Sequence, residues 1–273
     1  MISLSRLAEL EEHRCALGTS EVAGESLHIA GGIASRGAPR TWVNTAVGLG
    51  MGVQVSRDDV ARLVSWYAEA GQEPQVEVTP YSHPTLIEAL NAAGFRTKRF
   101  EQVMFRELRD ETIVTAPLPP AGVSIERVDP ADERRVREAA TVIAGAFAPD
   151  GSGPSEEDIA LFERCARHAR SALFAAYAGH VCAGAGFLET LGEVAALYGL
   201  GVAAEHRRRG IQQALIAARV DLARRQGACV VTISGPPGMG TERNVRRAGF
   251  QVGYTRIIMR APLADAQADP DPA

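Results

Sequence analysis

The chain has 273 residues and a formal net charge of −4, with apolar residues at 46% and charged residues at 23%. That balance belongs to a globular protein of one large or two ordinary domains, and the acidic excess argues against general affinity for nucleic acid. No apolar run approaches the roughly 18 residues of a membrane span, and Met1–Cys15 carries Arg6, Glu9, Glu11, Glu12 and Arg14, which does not read as a signal peptide. Cys15, Cys165, Cys182 and Cys229 lie far apart with no C-x-x-C spacing, so reduced thiols in a cytoplasmic protein are expected. The histidines also lack ligand spacing, and no metal is expected.

In chain order, the first predicted strand ends at Ala46-Val47-Gly48-Leu49-Gly50-Met51. A helix follows, opened by Ser56 with Asp59 at capping-box spacing and carrying Val60, Leu63, Val64 and Tyr67 on one face. Gly71 closes it, Gln75–Val78 alternates like a strand, and Pro84 opens the next helix, which runs toward Gly94-Phe95. Thr115–Gly122 is a proline-rich connector, and Asp150–Pro154 is a loop between two helical segments. The plan then repeats. Leu197-Tyr198-Gly199-Leu200-Gly201-Val202 ends a strand, Ile211, Leu215, Ala218 and Leu222 share a helical face, Gly227 closes it, and Cys229–Ile233 is a short apolar strand. Ala248-Gly249-Phe250 matches Ala93-Gly94-Phe95, and Met104 and Met259 follow their Gly-Phe pairs at the same offset.

The pattern predicts two copies of one α/β unit, each a mixed, mostly antiparallel sheet with flanking helices. The expected boundaries are 1–115, a connector at 116–122, 123–262, and a disordered tail at 263–273. The copies differ at Ala204-Glu205-His206-Arg207-Arg208-Arg209-Gly210, which the early copy lacks. A helix start leaves N–H groups unpaired and carries partial positive charge. A glycine turn lined with arginine at such a start suits a diphosphate. Arg207, Arg209, Gly210 and the helix beginning at Ile211 therefore predict a diphosphate-containing cofactor. Neither G-x-G-x-x-G nor G-x-x-x-x-G-K-[ST] occurs, which counts against NAD and ATP.

The run Gly201–Ile216 resembles the acetyl-CoA loop of the GNAT superfamily of N-acetyltransferases, whose pattern is Arg/Gln-x-x-Gly-x-Gly/Ala between a strand and a helix. Arg207 and Gly210 match it, while Gln212 replaces the small last residue. Thr241–Phe250 is similar to the family's second cofactor helix and the strand after it, and the early lobe resembles a degenerate GNAT copy in a tandem-domain member. The resemblance implies acetyl-CoA as cosubstrate and direct acetyl transfer to a primary amine, on a small molecule or a peptide, in a ternary complex. It implies a cofactor site of Leu200, Gly201, Val202, Arg207, Arg208, Arg209, Gly210, Ile211, Gln212, Thr241 and Asn244. Many relatives place an acidic tyrosine where this chain has Val245. Glu193 as base, and Tyr198 or Tyr254 as acid, are the candidates in its place. A catalytically impaired acyl-CoA sensor is the alternative; nucleic-acid and membrane partners are not expected, and oligomeric state is left open.

Overall fold

In a computed structural model, residues 2–108, 119–148, 152–238 and 240–262 are described. The expected tail, connector residues 115–118, and Asp150 and Gly151 of the expected loop lie outside them. The chain divides into two compact units, Met1–Leu4 with Gln102–Gly253, and Ser5–Glu101 with Tyr254–Ala273.

The second of these is built from α1 (Leu4–Val22), β1 (Glu25–Ile29), β2 (Gly32–Arg36), β3 (Thr45–Val47), α2 (Arg57–Ala68), β4 (Gln75–Val78) and α3 (Pro84–Ala92). The strand β5 (Arg96–Glu107) begins there. Ser56 caps α2 in the expected capping box with Asp59, and Pro84 stands in the first turn of α3. Leu63, Tyr67, Leu86, Leu90 and Phe95 form the core of this unit. One ionic group is buried beside it: Arg256 Nε donates to Glu12 Oε1 at 2.8 Å, and the Tyr254 hydroxyl donates to the same oxygen at 2.5 Å. Burial, partly offset by Arg256, pushes the Glu77 carboxyl up to about 7.

The first unit holds β6 (Val123–Arg127), α4 (Glu133–Phe147), α5 (Glu156–Arg167), β7 (Ser171–Ala178), β8 (Val181–Leu191), β9 (Val194–Val202), α6 (Ile211–Arg225), β10 (Val230–Gly235) and α7 (Gly240–Arg247). Its sheet runs β5-β10-β9-β8-β7-β6, with β10 and β9 parallel and the other neighbours antiparallel. Mixed sheets flanked by helices are thus observed, as the period of the sequence requires. The strand after each Gly-Phe pair belongs to both units by sequence. Gln102–Glu107 of β5 pair with β10, while Ile257–Arg260 of β11 (Gln251–Arg260) pair with β4. The compact units are therefore not the two sequence copies cut at the connector; a strand can complete whichever sheet offers an unpaired edge.

Helices α4 and α5 cover one face of this sheet and α6 the other. Phe162 of α5 stacks on Phe187 of β8, which stacks on Tyr198 of β9, with centroids 6.0 and 5.0 Å apart. On the opposite face Ile211, Leu215, Ile216 and Val220 of α6 join Ala183, Leu188 and Leu197 in the core. The buried stripe of α6 is rotated from the expected one. Ala218 and Leu222 are half-buried, and Arg219 takes the innermost position with none of its surface exposed.

Candidate functional site

The site is built where β9 leaves β10. Their parallel pairing runs from Val194↔Val230 to Leu197↔Ile233 and extends no further. On its other edge β9 pairs with β8 through Phe187↔Tyr198 and then Ala185↔Gly201, so one residue of β8, Gly186, faces the pair Gly199-Leu200. That is a β-bulge, made with Gly199 at φ +55, beyond which pairing with β8 resumes at Gly201 and Val202. Glycine is needed again at Gly201. A Cβ there would lie 2.8 Å from the Ala146 Cβ and 2.9 Å from the Val142 carbonyl of α4, which packs directly on the strand backbone.

Beyond Val202 the chain makes a short 3₁₀ turn at Ala204–His206. Arg207 Nε donates to the Val202 carbonyl at 3.2 Å, tying the turn to the strand. Arg208 at φ +62 and Gly210 at φ +85 then reverse the backbone into α6. Arg207, Arg208, Arg209 and Gly210 are all exposed. Gly210 is the N-cap of α6, it supplies no side-chain cap, and the first turn of α6 carries no acidic residue. The helix end is therefore positive, preceded by three exposed arginines and open at the surface, which suits an anionic diphosphate. α7 is pinned beside it, because Asn244 Nδ2 donates to Gln212 Oε1 at 2.6 Å. These two residues of the expected cofactor site thus meet each other. Thr241 lies in the first turn of α7.

The three candidate acid–base residues are not brought together. Tyr198 sits immediately before the bulge, its hydroxyl 2.9 Å from Ser171 Oγ and its ring on Phe187. Glu193 lies exposed in the β8–β9 turn, at the opposite end of β9 from the arginine turn, with its carboxylate 3.7 Å from the Cys229 thiol. Nine positions of extended strand separate it from Val202, about 30 Å at the usual rise. Tyr254 is buried in the other unit on Glu12, and its hydroxyl is held far above the ordinary tyrosine range by burial and by the Glu12 charge. Val245, where many relatives have the acid, is fully buried in the core. Burial pushes the Cys165 thiol up to about 12, which removes it as a nucleophile near neutral pH.

Residues 138–250 match the sequence model of the acetyltransferase (GNAT) family. This segment is similar in sequence to a GNAT domain. It contains the bulged strand, the arginine turn and both helices that meet at Gln212 and Asn244. The fold of the whole chain is similar to a GCN5-related N-acetyltransferase from Kribbella flavida, at a TM-score of 0.69 and 18% identity, covering 96% of this chain and 97% of that one. It is similar to a tandem GNAT protein from the clavulanic acid biosynthesis pathway, with a TM-score of 0.63, 14% identity, and 88% and 82% coverage. A GCN5-related N-acetyltransferase from Sphaerobacter thermophilus follows at 0.54 and 20%, covering 80% and 71%. No curated protein matches in sequence. Among the described residues, no cluster of histidine, cysteine or carboxylate side chains could hold a metal ion, and no helix is long and apolar enough to cross a membrane.

Sequence reasoning missed Arg219. Its position eight residues after Ile211 and four after Leu215 put a charge on the buried stripe of α6. That conflict of charge with helical period was the available signal.

Proposed function

We propose that the GNAT domain transfers an acetyl group from acetyl-CoA to a primary amine by direct attack in a ternary complex. The observation that carries this is the uncapped, acid-free start of α6 behind an exposed Arg207–Gly210 turn, next to a strand that has left its neighbour. Residues Arg207–Gln212 would hold the diphosphate, and the freed edge of Leu200–Val202 would pair with the amides of the pantetheine arm as an added strand does. The bound thioester supplies an activated acyl carbon. A backbone N–H near Val202 would accept the charge that builds on the carbonyl oxygen. As the C–N bond forms and the C–S bond breaks, one proton leaves the amine and one reaches the departing sulfur. Tyr198 is the candidate donor nearest the bulge.

The other unit supports a division of labour. There the first turn of α2 carries Asp58 and Asp59, and Ser56 already caps it. The end of β3 is held against the start of α3 by the His83 N–H on the Gly50 carbonyl at 2.8 Å and by the Met51–Ser82 bridge. An occupied, acidic helix start repels a diphosphate, and we read this lobe as a degenerate GNAT copy without a cofactor site.

Titration calorimetry with acetyl-CoA tests the reading: wild type binds, and Arg209→Ala weakens binding. Absence of binding at millimolar acetyl-CoA ends it. A second reading, an acyl-CoA sensor without turnover, is favoured by the buried Val245 in place of a hydroxyl. Thiol release from acetyl-CoA across a panel of amines separates the two, because a sensor binds and releases none.

A further inference from the structure

We infer that Arg219 is a positioning residue of the acyl-transfer site, a buried cation seated under the β9 bulge where it fixes the backbone that receives the thioester carbonyl. The inference rests on the acetyltransferase reading above. Four observations carry it. Arg219 lies in the middle of α6 with no exposed surface. Its Nε donates to the Leu215 carbonyl of its own helix at 2.9 Å, and its Nη1 donates to the Phe187 carbonyl of β8 at 2.9 Å. Phe187 is the last β8 residue in register before the bulge, so the guanidinium grips the ladder where it breaks. Gly186, the single residue facing the bulged pair, is glycine because a Cβ there would stand 2.7 Å from Nη1 and 3.0 Å from Cζ.

The fourth observation is what the side chain lacks. Nη2 is buried without a hydrogen-bond partner among the described residues, and burial alone pushes the guanidinium down to about 9, with no carboxylate beside it. An isolated buried cation is costly, and a core built only for stability would place an apolar side chain of the same volume here. The group remains protonated at neutral pH. Its hydrogen bond to Phe187, which pairs with Tyr198, places its charge one strand away from β9. In a low-dielectric interior a fixed positive charge at that range favours negative charge building on an acyl oxygen, with no reorganisation when the reaction occurs. At Gly186 the guanidinium and the Leu200 side chain of β9 take the space a Cβ would fill, which puts the cation and the bulged strand on either side of one glycine.

The test uses the full-length protein, acetyl-CoA labelled with carbon-13 at the acetyl carbonyl, and Arg219→Met, which keeps volume and removes charge. Isotope-edited infrared spectroscopy reads the carbonyl band of bound acetyl-CoA, and calorimetry reads its affinity. The expected result is an affinity within about twofold of wild type, because the diphosphate turn is untouched. The carbonyl band moves back toward its position in free acetyl-CoA, and thiol release falls about tenfold or more, the scale of a lost oxyanion contact. Arg219→Lys, which keeps a charge that can reach the Phe187 carbonyl, retains most of the band shift and serves if the methionine variant fails to fold. A band and rate equal to wild type in folded Arg219→Met, or complete loss of the band shift in Arg219→Lys, overturns the assignment. A wild-type protein that does not bind acetyl-CoA at all sinks the acetyltransferase reading itself; binding with an unmoved band sinks only the role of Arg219.

Discussion

Gly210→Asp probes the arginine turn most directly, with Gly210→Asn as its neutral counterpart. At φ +85 any side chain is strained, and the left-handed conformation costs an ordinary L-residue about 1–2 kcal/mol, less for Asp and Asn. No clash is added, since the one atom near a Cβ would be Pro120 Cγ at 3.6 Å, an ordinary contact. A carboxylate at a helix start recovers about 0.3–1 kcal/mol from the helix dipole. Both variants should therefore fold, with thermal midpoints lowered by a few degrees at most. Binding should separate them. A carboxylate about 5 Å from each of two phosphate charges opposes binding by about 0.8 kcal/mol per charge in a water-like medium. That sums to about 1.7 kcal/mol, or roughly 20-fold in affinity. The turn is exposed, so the water-like value is the appropriate one. Calorimetry with CoA should show Asp roughly 20-fold weaker than wild type and Asn within a few-fold. Near 0.5 M salt, where the Debye length shrinks to about 4 Å, the gap between Asp and Asn should narrow. Equal affinities for the two variants, or a gap indifferent to salt, would refute placement of a diphosphate at the start of α6.

Gly201→Ala should destabilise the protein by about 1–3 kcal/mol in denaturant unfolding, because the new methyl meets the Ala146 Cβ at 2.8 Å and the Val142 carbonyl at 2.9 Å. Gly235→Ala, which meets nothing within 4 Å, is the control and should be nearly neutral. Glu77→Gln should change the pH profile of stability. The folded carboxyl titrates at about 7 against 4.5 in the unfolded chain, so the folded state holds the extra proton between those values. Stability from this group is full below about pH 4.5 and is lost as pH rises through about 7. Thermal unfolding of wild type across that window should therefore fall more steeply than that of Glu77→Gln, and parallel profiles would contradict the raised carboxyl. Ser56→Ala removes the capping box of α2 and should cost about 1 kcal/mol by the same unfolding measurement.

Much of the local structure could be read from single residues. Ser56 with Asp59, Pro84, Gly210 and Gly227 each dictate a helix end through backbone chemistry that needs no distant partner, and α2, α3 and α6 begin or end where these residues require. The strand at Gln75–Val78 and the exposure of Arg207–Arg209 follow in the same way from alternation and charge. The acid–base candidates show the opposite case. Glu193 just precedes β9 and Tyr198 lies on it, yet only a register can tell which is near the bulge and which is a strand's length away.

The sequence by itself determined the helix caps, the repeated α/β plan and the basic turn before α6, because each is a matter of backbone preference or charge within a few residues. Tertiary structure alone decided where β9 parts from β10, that Gly186 faces two residues of β9, and that Arg219 lies under that break. It also decided that the last strand after each Gly-Phe pair ends in the sheet of the other unit. Those are pairings between residues far apart along the chain. They depend on which edges and faces are left to fill once the local elements have formed.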